Sequence, residues 1–220
     1  MKKLLFLCII FFGTVAAAQK GMWSITHTPS LIELPNIRYG LQLGGAYNFS
    51  SRLQLLTEFT VATGKPDEAS ITDSRYFRVK PELRYFLANE STPLRGYIGI
   101  QLSFVRRGWR NSSSGVYNEG SSSRDSVVTF SSAKINSPFV TATTQAGVVL
   151  KLSKRFSLDG FLGVGAKSVF TKYTAVENAQ KELAVRAKCR IMFRPDPAWW
   201  VNGTLTRFQF NTGLRLIYNL

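Results

Sequence analysis

The stretch "RYFRVKPELRYFL", residues 75–87, alternates between apolar and charged side chains. One parity is largely apolar and includes Phe77, Val79 and Leu83. The opposite parity carries most of the charge, at Arg78, Lys80, Glu82 and Arg84. Because successive side chains of a strand point to opposite faces, this pattern predicts a β-strand with one apolar and one ionic face. Pro81 lacks the N–H that a ladder needs, so we expect a bulge or local break there.

The same alternation recurs along the chain. Further strands are predicted at 38–49, 53–62, 97–104, 140–151, 156–167 and 207–220. An eighth is expected at 22–31, where the alternation is poor and Pro29 interrupts it. Most of these segments exceed the ~5–6 residues of a globular strand and suit the ~9–11 residues that a membrane strand needs. The pattern favours an all-β, eight-stranded, antiparallel, up-and-down transmembrane β-barrel over a soluble periplasmic barrel or sandwich.

The connections alternate between short and long. Two short ones are near copies, "NFSSRLQL" (48–55) and "KLSKRFSL" (151–158), and "ANESTPL" (88–94) is a third. The long ones are 64–73, 108–136 and 173–205. Short turns at one end and long loops at the other are typical of outer-membrane barrels, whose turns are periplasmic. With eight strands, both termini are expected on the periplasmic side.

Two of the long loops differ in composition. Residues 108–136 are rich in Ser, Asn and Gly, which predicts a mobile extracellular loop. In 173–205, Thr174 and Glu177 fit a capping box and apolar residues recur at helical spacing, so we expect a short helix ending near Cys189. Alternatively, 185–193 is another strand. Trp199 and Trp200 are expected at the outer lipid interface, where indole rings are favoured.

The N-terminus has the features of an export signal. Lys2 and Lys3 precede an apolar run from Leu4 to Phe12, and small residues end at Ala18. This predicts a signal peptide over 1–18 and a single outer-membrane barrel domain over 19–220. Removal of the two lysines lowers the net charge from +15 to +13. Such a basic, exported chain suits an anionic lipid or polysaccharide partner, and export argues against nucleic acid.

The parity of the strands predicts which charges face the barrel interior. These are Arg38, Arg78, Lys80, Arg84, Lys151, Lys167, Arg207 and Arg215 among the bases, with Glu58, Glu82 and Asp159 among the acids. The interior of an eight-stranded barrel is only just wide enough for its side chains, and buried charges must be paired. A plug of ion pairs is therefore favoured. The alternative is a narrow, anion-favouring porin, because the bases outnumber the acids.

The long loops are also basic. Arg106, Arg107 and Arg110 cluster around the start of the 108–136 loop, and we expect them to contact phosphates of outer-leaflet lipopolysaccharide. Ordinary solvated loop charge is the alternative.

Few residues suggest catalysis. His27 is the single histidine, and Ser30 lies three positions away across Pro29, so a strand does not place them on one face. We find no phosphate-binding loop and no spacing typical of a metal site. We therefore expect no enzymatic activity, cofactor or metal, and a lipid A-modifying enzyme is the disfavoured alternative.

The C-terminal strand carries a resemblance. In "NTGLRLIYNL" (211–220), Asn211, Gly213, Leu216 and Tyr218 resemble the signal by which the barrel assembly machinery recognises its clients, with Leu220 in place of the usual terminal aromatic residue. Together with "KPELRYFL" (80–87) and the "SKRFSL" turn, the layout resembles a family of small bacterial outer-membrane β-barrel proteins of unassigned function. The resemblance implies residence in the outer membrane and a barrel architecture. Taking all these features together, we expect contact with outer-membrane lipid and lipopolysaccharide, and a structural or surface-binding role in envelope integrity or loop-mediated ligand contact.

Overall fold

The computed structural model describes residues 23–33, 37–63, 71–88, 92–119, 126–183 and 201–220. Within these ranges the fold consists of twelve β-strands: β1 Trp23–Glu33, β2 Ile37–Asn48, β3 Leu53–Thr63, β4 Ile71–Phe86, β5 Leu94–Asn111, β6 Gly115–Glu119, β7 Ser126–Phe130, β8 Ser132–Asn136, β9 Phe139–Lys151, β10 Phe156–Glu177, β11 Gln180–Leu183 and β12 Val201–Asn219. None of the described residues belongs to a helix long and apolar enough to cross a membrane. The expected first strand at 22–31 is present as β1.

Eight long strands of the described chain pair in a ring. Each of β1 to β4 pairs antiparallel with the next strand, β5 pairs with β9, and β9 pairs with β10. The ring then continues from β10 to β12 and returns from β12 to β1. The predicted antiparallel, all-β fold is confirmed. Residues near both ends of the described chain lie beside the short turns, because Leu220 N–H donates to the carbonyl of Trp23 and Asn219 N–H to that of Arg155.

Side chains divide between the two faces of the ring as the alternation predicts. On β5, Tyr97, Gln101 and Val105 are buried, whereas Ile98, Ile100 and other residues of the opposite parity are exposed. Across the ring, the exposed face is the apolar one. Large exposed apolar side chains on most of its strands form an apolar belt around the outside. The buried face instead carries many charged and polar residues. This inverts the arrangement of a water-soluble fold, in which apolar side chains are the ones most often buried.

The two near-copy turns have the same hydrogen bonds. The hydroxyl of Ser50 accepts the N–H groups of Arg52 and Leu53, and the hydroxyl of Ser153 accepts those of Arg155 and Phe156. A serine that bonds the backbone two or three residues on stabilises a tight turn. The repeated Ser-x-Arg pattern thus reflects one turn geometry used twice.

Strand β4 contains the alternating stretch 75–87. Its ladder with β5 omits Lys80 and Pro81, yet the register is the same on both sides, from Val79↔Phe104 to Glu82↔Gln101. The expected disturbance at Pro81 is therefore a local break without a bulge. A register shift does occur in β4, but nearer its loop end, between Thr72 and Arg75.

The expectation of a mobile loop over 108–136 is wrong for much of that segment. β5 continues to Asn111, and β6, β7 and β8 follow. β8 pairs with both β5 and β10 and so extends the course of β9 around the ring. β6 and β7 pair with each other, β11 pairs with β7, and β6 joins β12 in parallel at Val201 and Asn202. We call β6, β7 and β11 the loop sheet.

An apolar cluster lies where the loop sheet meets the ring. It includes Trp109, Tyr117, Phe130 and Tyr173, all buried. The rings of Tyr117 and Tyr173 stack with centroids 4.1 Å apart and an interplanar angle of 17°. Serine and glycine content suggested mobility, but these few aromatic residues provide the buried area that orders the segment.

The expected helix in the last loop is also wrong where the structure describes it. Thr174 and Glu177 belong to β10, and β11 occupies Gln180–Leu183. Thr174 pairs with Lys134 across the β8–β10 ladder, so tertiary pairing overrides the local helical signal. The alternative strand at 185–193, Cys189, and the tryptophans at 199 and 200 lie outside the described residues.

Candidate functional site

The centre of the ring holds a buried ionic cluster of three acids and three bases. We define it as Glu58, Lys80, Glu82, Arg84, Asp159 and Arg215. Their side chains are 0% exposed except for Lys80, which is 6% exposed. The formal charges of the six groups cancel, as burial in a narrow interior requires.

Arg84 connects two acids on different strands. Its Nε donates to Glu82 on the same strand, and its Nη2 donates to Asp159 Oδ2 at 2.7 Å. Its Nη1 donates to the side-chain oxygen of Gln54 at 3.3 Å. The guanidinium also lies over the ring of Tyr97, 4.4 Å from the centroid. All three guanidinium nitrogens of Arg84 are thus used in joining β3, β4 and β10.

Arg215 contacts all three acids of the ionic cluster. Its Nε and Nη2 donate to the two oxygens of Glu58 at 2.9 and 3.0 Å, a bidentate pair. Nη2 also donates to Glu82 at 3.1 Å, and Nη1 donates to Asp159. A planar guanidinium suits this role because its five N–H groups point in fixed directions.

Neutral side chains occupy the remaining acceptor positions of the acids. Thr28 donates to Glu58 at 2.6 Å, Tyr97 to Asp159 at 3.0 Å, and Gln101 to Glu82 at 3.1 Å. Gln101 in turn accepts from Asn211 at 2.7 Å. Gly44 leaves the space for this packing, because a Cβ there would meet Glu58, Thr26 and the carbonyl of Thr57. These contacts make the cluster a connected network across six strands.

The interior above the ionic cluster, toward the loops, is basic and aromatic. Lys167 lies 4.1 Å and Arg107 4.9 Å from the centroid of the Phe139 ring. Lys167 and Arg207 are direct cross-strand partners, and Arg78 enters the same half from β4. Arg107 is 1% exposed, and its Nε donates to the carbonyl of Ser137 at 2.9 Å.

The outer face changes character toward the turns. Aromatic residues form a turn-end girdle that comprises Trp23, Tyr47, Phe49, Tyr85, Phe156 and Tyr218. Arg52 and Arg155 donate to the hydroxyls of Tyr85 and Tyr218, each at 3.4 Å. Aromatic rings with a polar tip are favoured where hydrocarbon meets water.

The outer face also becomes basic toward the loops. Exposed bases on β4, β5, β8 and β10 form an outer basic patch that comprises Arg75, Arg106, Arg110, Lys134 and Lys172. Arg110 and Lys134 are direct cross-strand partners, and Arg106 is opposite Phe77 of the apolar belt. Asp73 and Glu177 are exposed acids near the same end.

The structure separates some residues that the sequence grouped. Arg107 faces the interior, whereas Arg106 and Arg110 face outward, because neighbours on a strand point to opposite sides. The expected surface set of three is therefore corrected to two. Lys151 is exposed at the end of β9, where the interior gives way to solvent. The side chain of Arg38 lies outside what the structure describes.

The structure also places His27 and the residues of the predicted assembly signal. His27 is half-buried on the outward parity of β1, and its Nδ1 lies 3.3 Å from the carbonyl oxygen of Gln42. Of the predicted assembly signal, Asn211 and Gly213 face inward, and Leu216 and Tyr218 face outward. Among the described residues, no group of three or more His, Cys, Asp or Glu is placed to hold a metal ion.

Sequence reasoning missed the neutral members of the interior network. Tyr97, Gln101 and Asn211 share the inward parity with the charges, which was the available signal. Their partners are 62, 19 and 110 positions away, so only the closed ring reveals the contacts.

No family model matches the chain, and neither does any curated protein. Three solved structures are similar over most of the chain. Neisserial surface protein A is 16% identical, with 88% of this chain and 93% of that chain covered and a TM-score of 0.37. A major outer membrane protein from Thermus thermophilus is 11% identical, with coverages of 92% and 100% and a TM-score of 0.38. Acinetobacter baumannii CarO is 12% identical, with coverages of 91% and 97% and a TM-score of 0.35. Two of the three are named as a surface or outer membrane protein. TM-scores this low leave the fold and function to be established from the strand pairings and side chains.

Proposed function

We propose that the protein is an eight-stranded outer-membrane β-barrel with a closed interior and a structural or surface-binding role. One observation carries the proposal: the ring exposes its apolar face and buries a charge-balanced ionic cluster. This distribution is the one expected of a barrel in lipid, whose outer band is apolar and whose lumen is polar.

Features at the two ends support an orientation. The turn-end girdle provides aromatic residues at one edge of the apolar belt, and the outer basic patch lies beyond the other edge. Long basic side chains at a membrane edge keep their stems on apolar surface and extend their charge to phosphates. We therefore place the loops outside the cell and assign contact with lipopolysaccharide phosphates to Arg106 and Arg110.

The closed interior favours this role over a porin. The six side chains of the ionic cluster fill the lumen with almost no exposed surface, and the apolar cluster occupies its loop end. The role is also non-enzymatic in this proposal, since His27 points to the apolar outer face rather than toward an acid and a nucleophile. A narrow anion pore is the second candidate, favoured by the basic half that contains Arg78, Lys167 and Arg207.

Fractionation of the expressing cells tests the proposal. We expect the protein in the outer-membrane fraction, with a gel mobility that shifts on heating, and lipopolysaccharide that co-purifies with it. Changing Arg106 and Arg110 together to Ala should reduce that lipopolysaccharide, since both side chains are exposed at the loop end. The matched control changes Arg52 and Arg155 to Ala at the turn end and should leave it unchanged.

The membrane location and the phosphate contact can be contradicted independently of each other. Recovery of the wild-type protein in the soluble periplasm would remove the membrane assignment altogether. Equal lipopolysaccharide in both variants would remove the phosphate contact and leave the barrel in place.

A further inference from the structure

The ring is incompletely paired at one seam. In the described part of the chain, β1 pairs with β12 from Ser24 to His27 and no further. Each of these strands is fully paired on its other side, β1 with β2 from Trp23 to Glu33, and β12 with β10 from Gly203 to Tyr218. The seam is bounded by the His27↔Leu216 pair below and by the parallel β6–β12 pairs above.

Proline explains where the seam opens. Pro29 is the second residue after the last pair, and it has no N–H to give to either neighbour. A proline in a sheet is tolerated at an edge, and the opening makes this part of β1 an edge.

A groove of about 520 Å³ lies at this seam. It is lined by Pro29, Gly160, Phe161, Thr212, Gly213 and Leu214. Gly160, at an outward position, contributes no side chain to fill it. The surrounding outer face is apolar, because Leu162, Phe210 and Leu214 are 61%, 71% and 62% exposed. The groove therefore opens into the apolar belt rather than into the lumen.

The seam has two chemical characters. Its surroundings are apolar, but the open edges of β1 and β12 present backbone N–H and C=O groups. An unsatisfied backbone group in hydrocarbon costs several kcal/mol, and bare sheet edges are not found there. An alkane chain alone does not satisfy these edges, and water alone does not suit the apolar walls. The fitting occupant is an amphiphile with hydrogen-bonding oxygens and an acyl chain.

The depth of the groove indicates which leaflet of the membrane supplies that amphiphile. Gly160 and Leu214 are each four residues from a member of the turn-end girdle, Phe156 and Tyr218 respectively, at about 3.3 Å per residue. With strands tilted by about 35–45°, the depth is about 10 Å, which is in the turn-end half of an apolar band roughly 25 Å tall. Under the proposed orientation, that half is the periplasmic leaflet, which supplies phospholipid.

We propose that the wall groove between β1 and β12 binds a membrane phospholipid side-on. Its ester oxygens accept N–H groups at the turn-end limit of the open edges, next to the His27↔Leu216 pair, and its acyl chain covers the apolar surface beside Gly160 and Leu214. This inference rests on the proposed membrane location, which the fractionation experiment tests independently.

A closing disulfide tests the groove. Continuing the register from Ser24↔Asn219 places Pro29 opposite Leu214 when the seam is shut, and both residues face outward. We would combine Pro29→Cys and Leu214→Cys in a Cys189→Ser background. The control is Phe59→Cys with Val79→Cys, an outward pair across the fully paired β3–β4 seam. The wild-type protein and both double variants would be reconstituted in phosphatidylethanolamine vesicles containing a phosphatidylethanolamine with a photoactivatable acyl chain.

In the wild-type protein, which keeps Pro29, labelling should concentrate on β1 and β12 peptides. In the oxidised Pro29→Cys, Leu214→Cys protein it should fall to the level of β4 and β5 peptides, and the control disulfide should leave the wild-type pattern unchanged. Uniform labelling around the belt, or labelling indifferent to the closing disulfide, would overturn the proposal. A disulfide between two protein chains in the Leu214→Cys single variant would also overturn it, by assigning the seam to a second copy.

If the disulfide does not form, a substitution that fills the groove tests lipid binding instead. Gly160→Leu adds a side chain toward the groove, where a Cβ already meets Leu214 Cδ2 at 3.6 Å. Gly96→Leu is the control on β5, with a similar clearance of 3.7 Å to Leu87 Cδ1. Only Gly160→Leu should lose the concentrated labelling, and a heat-shifted gel mobility verifies that each variant is folded. Retained labelling in a folded Gly160→Leu protein contradicts side-on binding.

Discussion

Arg215 holds three carboxylates together, so its removal leaves the ionic cluster with three acids and two bases. We expect Arg215→Ala to lower the free energy of unfolding by about 3–5 kcal/mol, the usual cost of leaving a buried charge uncompensated. Denaturant unfolding in detergent micelles, followed by loss of the heat-shifted gel mobility, measures it.

Arg155→Ala is the matched control for that substitution. Arg155 is exposed in a turn and makes a long hydrogen bond to Tyr218, so its removal should cost at most about 0.5 kcal/mol. Arg215→Lys should fall between the two, because a single ammonium cannot reproduce the fork of a guanidinium. Equal stability of Arg215→Ala and Arg155→Ala would mean that the cluster contributes little.

At the scale of an element, the loop sheet depends on a few aromatic contacts with the ring. Tyr117 on β6 stacks on Tyr173 of β10 and also lies 6.0 Å from the Phe130 ring. Glu119 on β6 accepts hydrogen bonds from Lys181 on β11 and Ser126 on β7, and these bonds hold the pKa of Glu119 below its usual value. That ion pair is exposed, so burial of the aromatic rings is the main stabilising contribution.

We expect Tyr117→Ala to release the loop sheet without unfolding the ring. The substitution removes about 3 kcal/mol or more of buried aromatic packing, which a five-residue strand cannot offset. Protease added to intact cells should then cut near 115–130, while the heat-shifted gel mobility persists. Val116→Ala, at a position 51% exposed on the same strand, should remain resistant. Equal resistance of both variants would show that the stack does not order this segment.

At the scale of the whole molecule, two buried clusters of the described residues lie inside the ring, the ionic cluster toward the turns and the apolar cluster toward the loops. In the proposed function, these clusters close the interior. We therefore expect no stepwise conductance from the purified protein in a planar lipid bilayer at neutral pH. Reproducible steps that disappear when Arg78 and Lys167 are changed to Ala would instead identify the anion pore.

Alternation made much of the ring predictable from sequence. A period of two specified the strands and the inward parity of Glu58, Lys80, Glu82, Arg84, Asp159 and Arg215, because a strand has only two faces and one of them is apolar. The repeated Ser-x-Arg turns were also predictable from the sequence, because each serine accepts hydrogen bonds from N–H groups only two and three residues away.

Non-local pairing decided the rest. The helical signal at Thr174–Glu177 and the loop composition of 108–136 were both overridden by ladders and aromatic packing with distant segments. The open seam at Pro29 is recognised only by comparing the pairing of β1 with β12 and its pairing with β2. Within the strands that it predicted, the sequence alone determined most inward side chains, because side-chain direction alternates along one strand. Arg107 was missed because the predicted strand ended at residue 104, whereas β5 continues to Asn111. The tertiary structure determined which charges meet, since Arg215 and Glu58 are 157 residues apart and come together only when the ring closes.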